Sequence, residues 1–243
     1  MINYRAMTHE PINQWNNFLE KIRARFEDTL VYAKETVLSS LEKNQYDYYG
    51  SFRTLKAIQQ QIYTDVIQKV SDTWQNQVEP LLRSTTVNWA AELKKAHNVS
   101  EEMNRQLALW VYITEGQLSL KYYDYAIQLI NGDFNCSQCN SPLSVKKDFF
   151  NAQYIVCSYC QAVNTFEPET KYVTIGWNVV DNIAALYALN EYKLMLKAQS
   201  GDDYTNAQRK YYERYFEERV KLMPHTAASK TKDIELAIKK QSN

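Results

Sequence analysis

Residues 136–166 read CSQCNSPLSVKKDFFNAQYIVCSYCQAVNTF, and this stretch decides the architecture of the chain. It contains all four cysteines, as Cys136-Ser-Gln-Cys139 and Cys157-Ser-Tyr-Cys160. Two intervening residues let both sulfurs of one tight turn face a single ion, and a second such turn completes a tetrahedron. Residues 140–156, between the pairs, give a spacing suited to a four-thiolate metal site. A segment of about 40 residues buries too little surface to fold unaided, so it needs a staple. Metal binding to thiolates supplies about 10–16 kcal/mol, more than such a segment lacks. One structural zinc ion is expected on Cys136, Cys139, Cys157 and Cys160, zinc ranking ahead of iron among ions that take tetrahedral sulfur.

Outward from this stretch the pattern is helical. The chain of 243 residues has only five glycines and five prolines, which favours long uninterrupted helices. Trp15, Leu19, Ile22, Phe26, Leu30, Ala33, Val37 and Leu41 recur at steps of three and four. Residues 44–51, with Gly50, interrupt that pattern as a turn. Leu55, Ile58, Ile62, Val66, Val70 and Trp74 form a second stripe that Pro80 is expected to close, and a third helix is expected over 82–96. Asn98 and Glu101 have the spacing of a capping box, with Glu101-Glu102 favouring a helix N-terminus. The helix so predicted carries Leu107, Val111, Thr114, Leu118, Tyr122, Tyr125 and Leu129 in a heptad-like seam. Such a seam suits packing within the chain, its default, or across a dimer. Asn131-Gly132 is expected to end it, the glycine in the left-handed conformation.

After the cysteine-bearing segment, with β-favouring Tyr172 and Val173, helical spacing resumes at 178–200 through Val179, Ile183, Leu186, Asn190 and Leu194. Gly201 stops it, Asp202-Asp203 are expected to cap a helix over 203–222, and Pro224 ends that one. The predicted fold is mainly α: an antiparallel helical bundle with a small β module inserted between helices. Its parts are a helical portion (1–132), the β module (133–175), C-terminal helices packing on the bundle (176–223) and a polar tail (224–243) with at most a short helix near 231–240.

Cys136 through Phe166 resembles a zinc ribbon, the family in which two cysteine knuckles on β-hairpins clamp one zinc ion. The resemblance covers about 35 residues and implies that the four cysteines are its ligands. The segment between the cysteine pairs, 142–156, is itself long enough for a β-hairpin with Asp148–Asn151 near its tip. Many ribbons have glycine directly after the second cysteine of each knuckle; here Asn140 and Gln161 stand there, and glutamine tolerates the left-handed backbone less well.

Lys+Arg and Asp+Glu number 28 each, so the chain lacks the basic footprint from which a nucleic-acid binder draws its affinity. No run of about 18 apolar residues and no secretory signal is visible, and a cytoplasmic protein with reduced thiols is expected. That disfavours two disulfides, and the lack of a βαβ context disfavours thioredoxin-like redox chemistry. A closed four-thiolate site cannot activate water, and no nucleophile elbow, phosphate loop or H-E-x-x-H is present, so a non-enzymatic protein is expected. His9, His97 and His225 are read as surface or capping residues, and Glu217-Glu218 with Arg214 and Arg219 as a solvated charged face. Three aromatic clusters (Tyr46, Tyr48, Tyr49; Tyr122, Tyr123, Tyr125; Tyr211, Tyr212, Tyr215, Phe216) cannot place every ring in one core, so they pack between elements, serve a protein-contact surface, or stack on bases beside Arg209, Lys210 and Arg214. The expected function is a protein-interaction or scaffolding module whose partner is another protein. The alternative is a nucleic-acid-associated ribbon protein, supported by Lys146-Lys147 and the basic tail of Lys230, Lys232, Lys239 and Lys240. No membrane partner is expected.

Overall fold

The computed structural model describes residues 4–84, 88–145, 148–149, 151–198 and 201–241. The fold is mainly α with one small antiparallel sheet, and it divides into two compact units, residues 1–114 and 115–243.

In the first unit, α1 (Tyr4–Lys43) buries Trp15, Leu19, Ile22, Phe26, Ala33, Val37 and Leu41, the predicted stripe, with Leu30 only half-buried. The connection to α2 (Tyr48–Ile62) is shorter than expected. Gln45 (φ 53°) and Tyr46 (φ 60°) take the left-handed turn, and Asp47 caps the new helix by accepting from the Gly50 N–H at 3.0 Å. Gly50 therefore lies in the first helical turn, not in the connection.

From α2 the helix runs on through a π turn (Tyr63–Ile67), α3 (Gln68–Thr73), a second π turn (Trp74–Val78) and α4 (Glu79–Arg83). Its buried positions include Ile62, Val66, Val70, Trp74, Val78 and Leu82, spaced by four throughout. Each residue of a regular α-helix turns about 100°, so each step of four overshoots one turn by about 40°. Five steps would carry Leu82 about 200° away from the face of Ile62. Each π turn absorbs one extra residue and sets the face back by about 100°, so two of them cancel the drift. Trp74 thereby reaches Trp15, ring centroids 5.6 Å apart. Pro80 does not close the helix as expected. It sits in the first turn of α4, directly after the second π turn, where a missing N–H and a bulky ring cost least.

The break before the next helix falls earlier than predicted. α5 (Trp89–Asp133) starts just after Asn88, whose carbonyl and side-chain oxygens lie 3.1 and 3.4 Å from the Ala91 N–H. No capping box forms at Asn98, which lies inside the helix. Ala96, Val99 and Met103 are buried on either side of it, and this packing overrides the local preference of asparagine. Glu102 instead pairs with Arg23 at 3.2 Å.

The second unit begins within α5. The seam holds from Leu107 to Tyr122 and then shifts, with Tyr123 and Ala126 buried and Leu129 40% exposed. Gly132 is helical, not left-handed. α6 (Thr170–Tyr187) crosses α5 at Gly116, where a Cβ would stand 2.6 Å from Leu186 Cβ and 3.0 Å from Asn182 O. Tyr172 and Val173 belong to this helix, not to a strand. Ala188 separates α6 from α7 (Leu189–Lys197), and the break turns the predicted stripe outward. Ala188 and Met195 are buried while Asn190 and Leu194 are exposed. Gly201 (φ 100°) precedes α8 (Asp202–Leu222); Asp202 and Asp203 lie in its first turn and make no side-chain cap. Pro224 ends α8 as expected and opens a 3₁₀ segment (Pro224–Ser229). The tail is ordered as α9 (Lys230–Gln241), which buries Ile234 and Ile238. Among the described residues no helix is long and apolar enough to cross a membrane.

Candidate metal centre

The segment between α5 and α6 folds around its cysteines. Strands β1 (Gln153–Val156) and β2 (Val163–Phe166) pair antiparallel, Gln153 opposite Phe166 and Val156 opposite Val163. The hairpin they make encloses the second knuckle, Cys157–Cys160. Among the described residues, no hairpin forms over 142–156, where one was expected. The first knuckle is closed by a bridge between Asn135 and Pro142 instead of by paired strands.

The two knuckles nevertheless share one backbone design. The Cys136 N–H donates to Ser141 O (2.8 Å) and the Asn140 N–H to Cys136 O (2.9 Å). In the second, Cys157 N–H donates to Ala162 O (2.8 Å) and Gln161 N–H to Cys157 O (3.0 Å). Asn140 (φ 59°) and Gln161 (φ 61°) adopt the same left-handed conformation, so glutamine does not distort the second turn.

All four sulfurs lie within 4.8 Å of one another. Cys136 Sγ and Cys160 Sγ are 3.6 Å apart, as are Cys139 Sγ and Cys157 Sγ. A tetrahedral ion with metal–sulfur bonds of about 2.3 Å needs sulfurs about 3.8 Å apart, which this cluster fits with small adjustments. None of the four is in a disulfide. The cluster also shows the electrostatic conflict that a cation resolves. Backbone N–H groups of Cys139 and Gln138, bonded to the Cys136 sulfur, bring its thiol down to about 6, and Ser141 lowers Cys139 through its hydroxyl and its N–H. The Ala162 N–H favours the Cys160 thiolate too, but burial and the other three sulfurs outweigh it and push that thiol up to about 12. Four thiolates this close do not ionise together without a positive charge among them.

One residue of the site escaped the sequence reading. Asn164, 6% exposed on β2, accepts from the Ser137 N–H (2.9 Å) and the Ser137 hydroxyl (3.0 Å) through Oδ1. Its amide nitrogen donates to Ala162 O (3.1 Å) and reaches Cys136 Sγ at 3.5 Å. It thus ties one knuckle to the other. Its signal in the sequence was slight: a polar residue two before Phe166, on the inward face of a strand.

The loop between the knuckles anchors the module to the helices of its unit. Asn131 at the end of α5 holds the Val145 backbone on both sides, its Oδ1 accepting from N–H (2.7 Å) and its amide donating to O (3.3 Å). Phe149 is fully buried against Tyr123 and Tyr172, centroids 5.0 and 5.7 Å away. Asp148, expected near an exposed tip, pairs with His225 at 2.7 Å. His225 and His97 are surface residues as expected, and His225 contacts this loop; the side chain of His9 lies outside the description. Lys146-Lys147 lie outside the described residues.

The aromatic clusters pack. Tyr48, Tyr122, Tyr123 and Tyr211 are buried, and Tyr211, Tyr212, Tyr215 and Phe216 contact one another at 4.9–6.3 Å. Tyr154 and Tyr159, which lie outside those clusters, are 81% and 80% exposed on the β module. The charged face predicted on α8 is not fully solvated either. Glu218 is buried between Arg214 (2.7 Å) and Lys221 (2.8 Å), and Arg219 is buried on Asp181.

Compared with protein-family models, curated proteins and solved structures, the chain finds no match.

Proposed function

We propose that this chain is a non-enzymatic zinc-binding protein that uses a structural zinc ribbon to recognise another protein. Four sulfurs fill a tetrahedral ion's coordination shell, so the metal stabilises structure and has no open position for a substrate. Zinc suits a site that cycles no electrons and fixes a fold.

The observation that carries recognition is the outward face of the hairpin. Tyr154 and Val156 alternate along β1, and their partners Thr165 and Val163 point to the same side. Tyr154, Val156 and Val163 are 81%, 55% and 64% exposed, and the face carries no charge. The opposite side chains, Asn164 and Phe166 on β2, turn in toward the site. Anchoring by the 143–149 loop leaves this face free among the described residues. Exposed tyrosine flanked by β-branched residues is the composition of a contact surface, and its neutrality disfavours a phosphate backbone.

The test is metal analysis followed by affinity capture. One zinc per chain is expected, and the double variant Tyr154→Ser/Val163→Ser should retain zinc but lose the captured partners, whereas Cys157→Ser, which removes a ligand, should lose both. Partners retained by both variants would remove the ribbon from recognition. Capture of nucleic acid with steep salt dependence would replace the protein partner by the alternative.

A further inference from the structure

The geometry points to a carboxylate-binding groove among α6, α8, the 3₁₀ segment and α9, distinct from the ribbon and not dependent on its role. The groove is open and measures about 640 Å³. That volume falls in the range of small-molecule sites, roughly 300–1,000 Å³.

Arg219 lies in its wall and is only 9% exposed. Its Nε donates to Asp181 Oδ1 at 2.7 Å, and its guanidinium carbon lies 4.9 Å from the centroid of the Trp177 ring. Tyr215, whose hydroxyl is shifted up by burial and by the nearby Asp181, lies beside the same carboxylate. No described residue accepts a hydrogen bond from Nη1 or Nη2. An arginine that is fixed by one edge and by its face, with its outer N–H groups unpaired, is set to receive an oxyanion.

Other lining residues narrow the ligand. Lys240 borders the groove with no carboxylate partner among the described residues, and Asp233 accepts from the Ser229 hydroxyl at 2.7 Å. Arg219 and Lys240 against Asp181 and Asp233 leave the groove formally neutral. That balance accepts a single negative charge and disfavours a phosphate dianion. Tyr212, Phe216 and Leu236 supply apolar surface, so the ligand joins a carboxylate to an apolar or aromatic body. Such a group occurs as a free organic acid or as the C-terminal residue of a polypeptide.

The test uses the zinc-loaded full chain, with titration calorimetry and the indole resonance of Trp177. The probes are 3-phenylpropanoate, a short peptide ending in phenylalanine, the same peptide as its C-terminal amide, and phenyl phosphate. Both carboxylates are expected to bind and move the Trp177 signal, the amide about tenfold more weakly because the charge-assisted pair is lost. Tighter binding of the peptide assigns the groove to chain ends, and equal or tighter binding of 3-phenylpropanoate assigns it to free acids. Arg219→Lys keeps the charge but not the fork and should weaken binding about tenfold. Lys240→Gln, at an exposed position that cannot unfold the chain, should weaken it by a smaller factor. The inference is overturned if neither carboxylate binds at millimolar concentration or if the amide matches the acid. It is overturned equally if phenyl phosphate binds more tightly than the carboxylates, or if both variants bind as the native chain does. Tyr154→Ser/Val163→Ser should bind the probes unchanged, which separates this site from the ribbon's.

Discussion

The first unit and the cysteine module are held together by different physics. The helices of residues 4–114 bury large apolar side chains, among them Trp15, Phe26, Leu41, Leu55 and Leu82, each at or near zero exposure. Each such side chain contributes about 1.5–3 kcal/mol by leaving water. The cysteine module's own core consists of Cys136, Leu143 and Cys157, with Phe134, Ile155 and Ala162 partly buried around it. Two of those three buried residues are candidate ligands. Burial is distributed over many positions in the first case and concentrated on one point in the second.

Removing the metal should expose that contrast most sharply. A strong chelator is expected to unfold the cysteine module, where about 10–16 kcal/mol of binding energy is linked to folding, while far-UV circular dichroism of the helices changes little. Thiol titration should rise to four groups in the same sample. Acid should act in the same direction as the chelator. The metal-free site binds more protons than the loaded one, so affinity falls as pH drops, and competition becomes steep once even Cys136, brought down to about 6, protonates. Loss of helical signal in step with the metal would show the two regions to be one cooperative structure.

Leu82→Ala attacks the other side of the comparison. A cost of about 2–5 kcal/mol in denaturant unfolding is expected, with metal content unchanged. Asn164→Ala should do the reverse: about 10–100-fold weaker zinc binding by competition titration, with the helical transition unmoved. The smallest effect is reserved for Gln161→Gly. Relief of a left-handed side chain, offset by the entropy of glycine and a lost bond to Ser158 O, should leave the cysteine module stabilised by no more than about 1 kcal/mol.

The same division explains what could be read in advance. The cysteine spacing carried the metal cluster because a tetrahedron imposes distances that few sequences meet by accident. The stripe of α1 carried its buried face because 3.6-residue periodicity is local. What was not legible depends on partners distant in sequence. Asn98 has the chemistry of a cap, yet Ala96, Val99 and Met103 keep it inside a helix. Asp148 looked like a loop tip until His225 met it. Arg219 belonged to a charged run and became a buried side chain only when α6 presented Asp181 and Trp177.

The two π turns have a consequence for how this chain tolerates changes of length. A π turn holds one residue more than the helix requires, so excising an exposed residue there, such as Thr64, should leave a regular helix with Val66, Val70 and Leu82 still facing inward. Excising Lys69 from α3 would instead swing every later side chain by about 100° and strand the apolar face in solvent. The second π turn does not share this tolerance, since shortening it would set Pro80 within regular helix, its ring against a carbonyl of the turn before. A scan of single-residue deletions along residues 62–82 should therefore find one permissive window, at the first π turn.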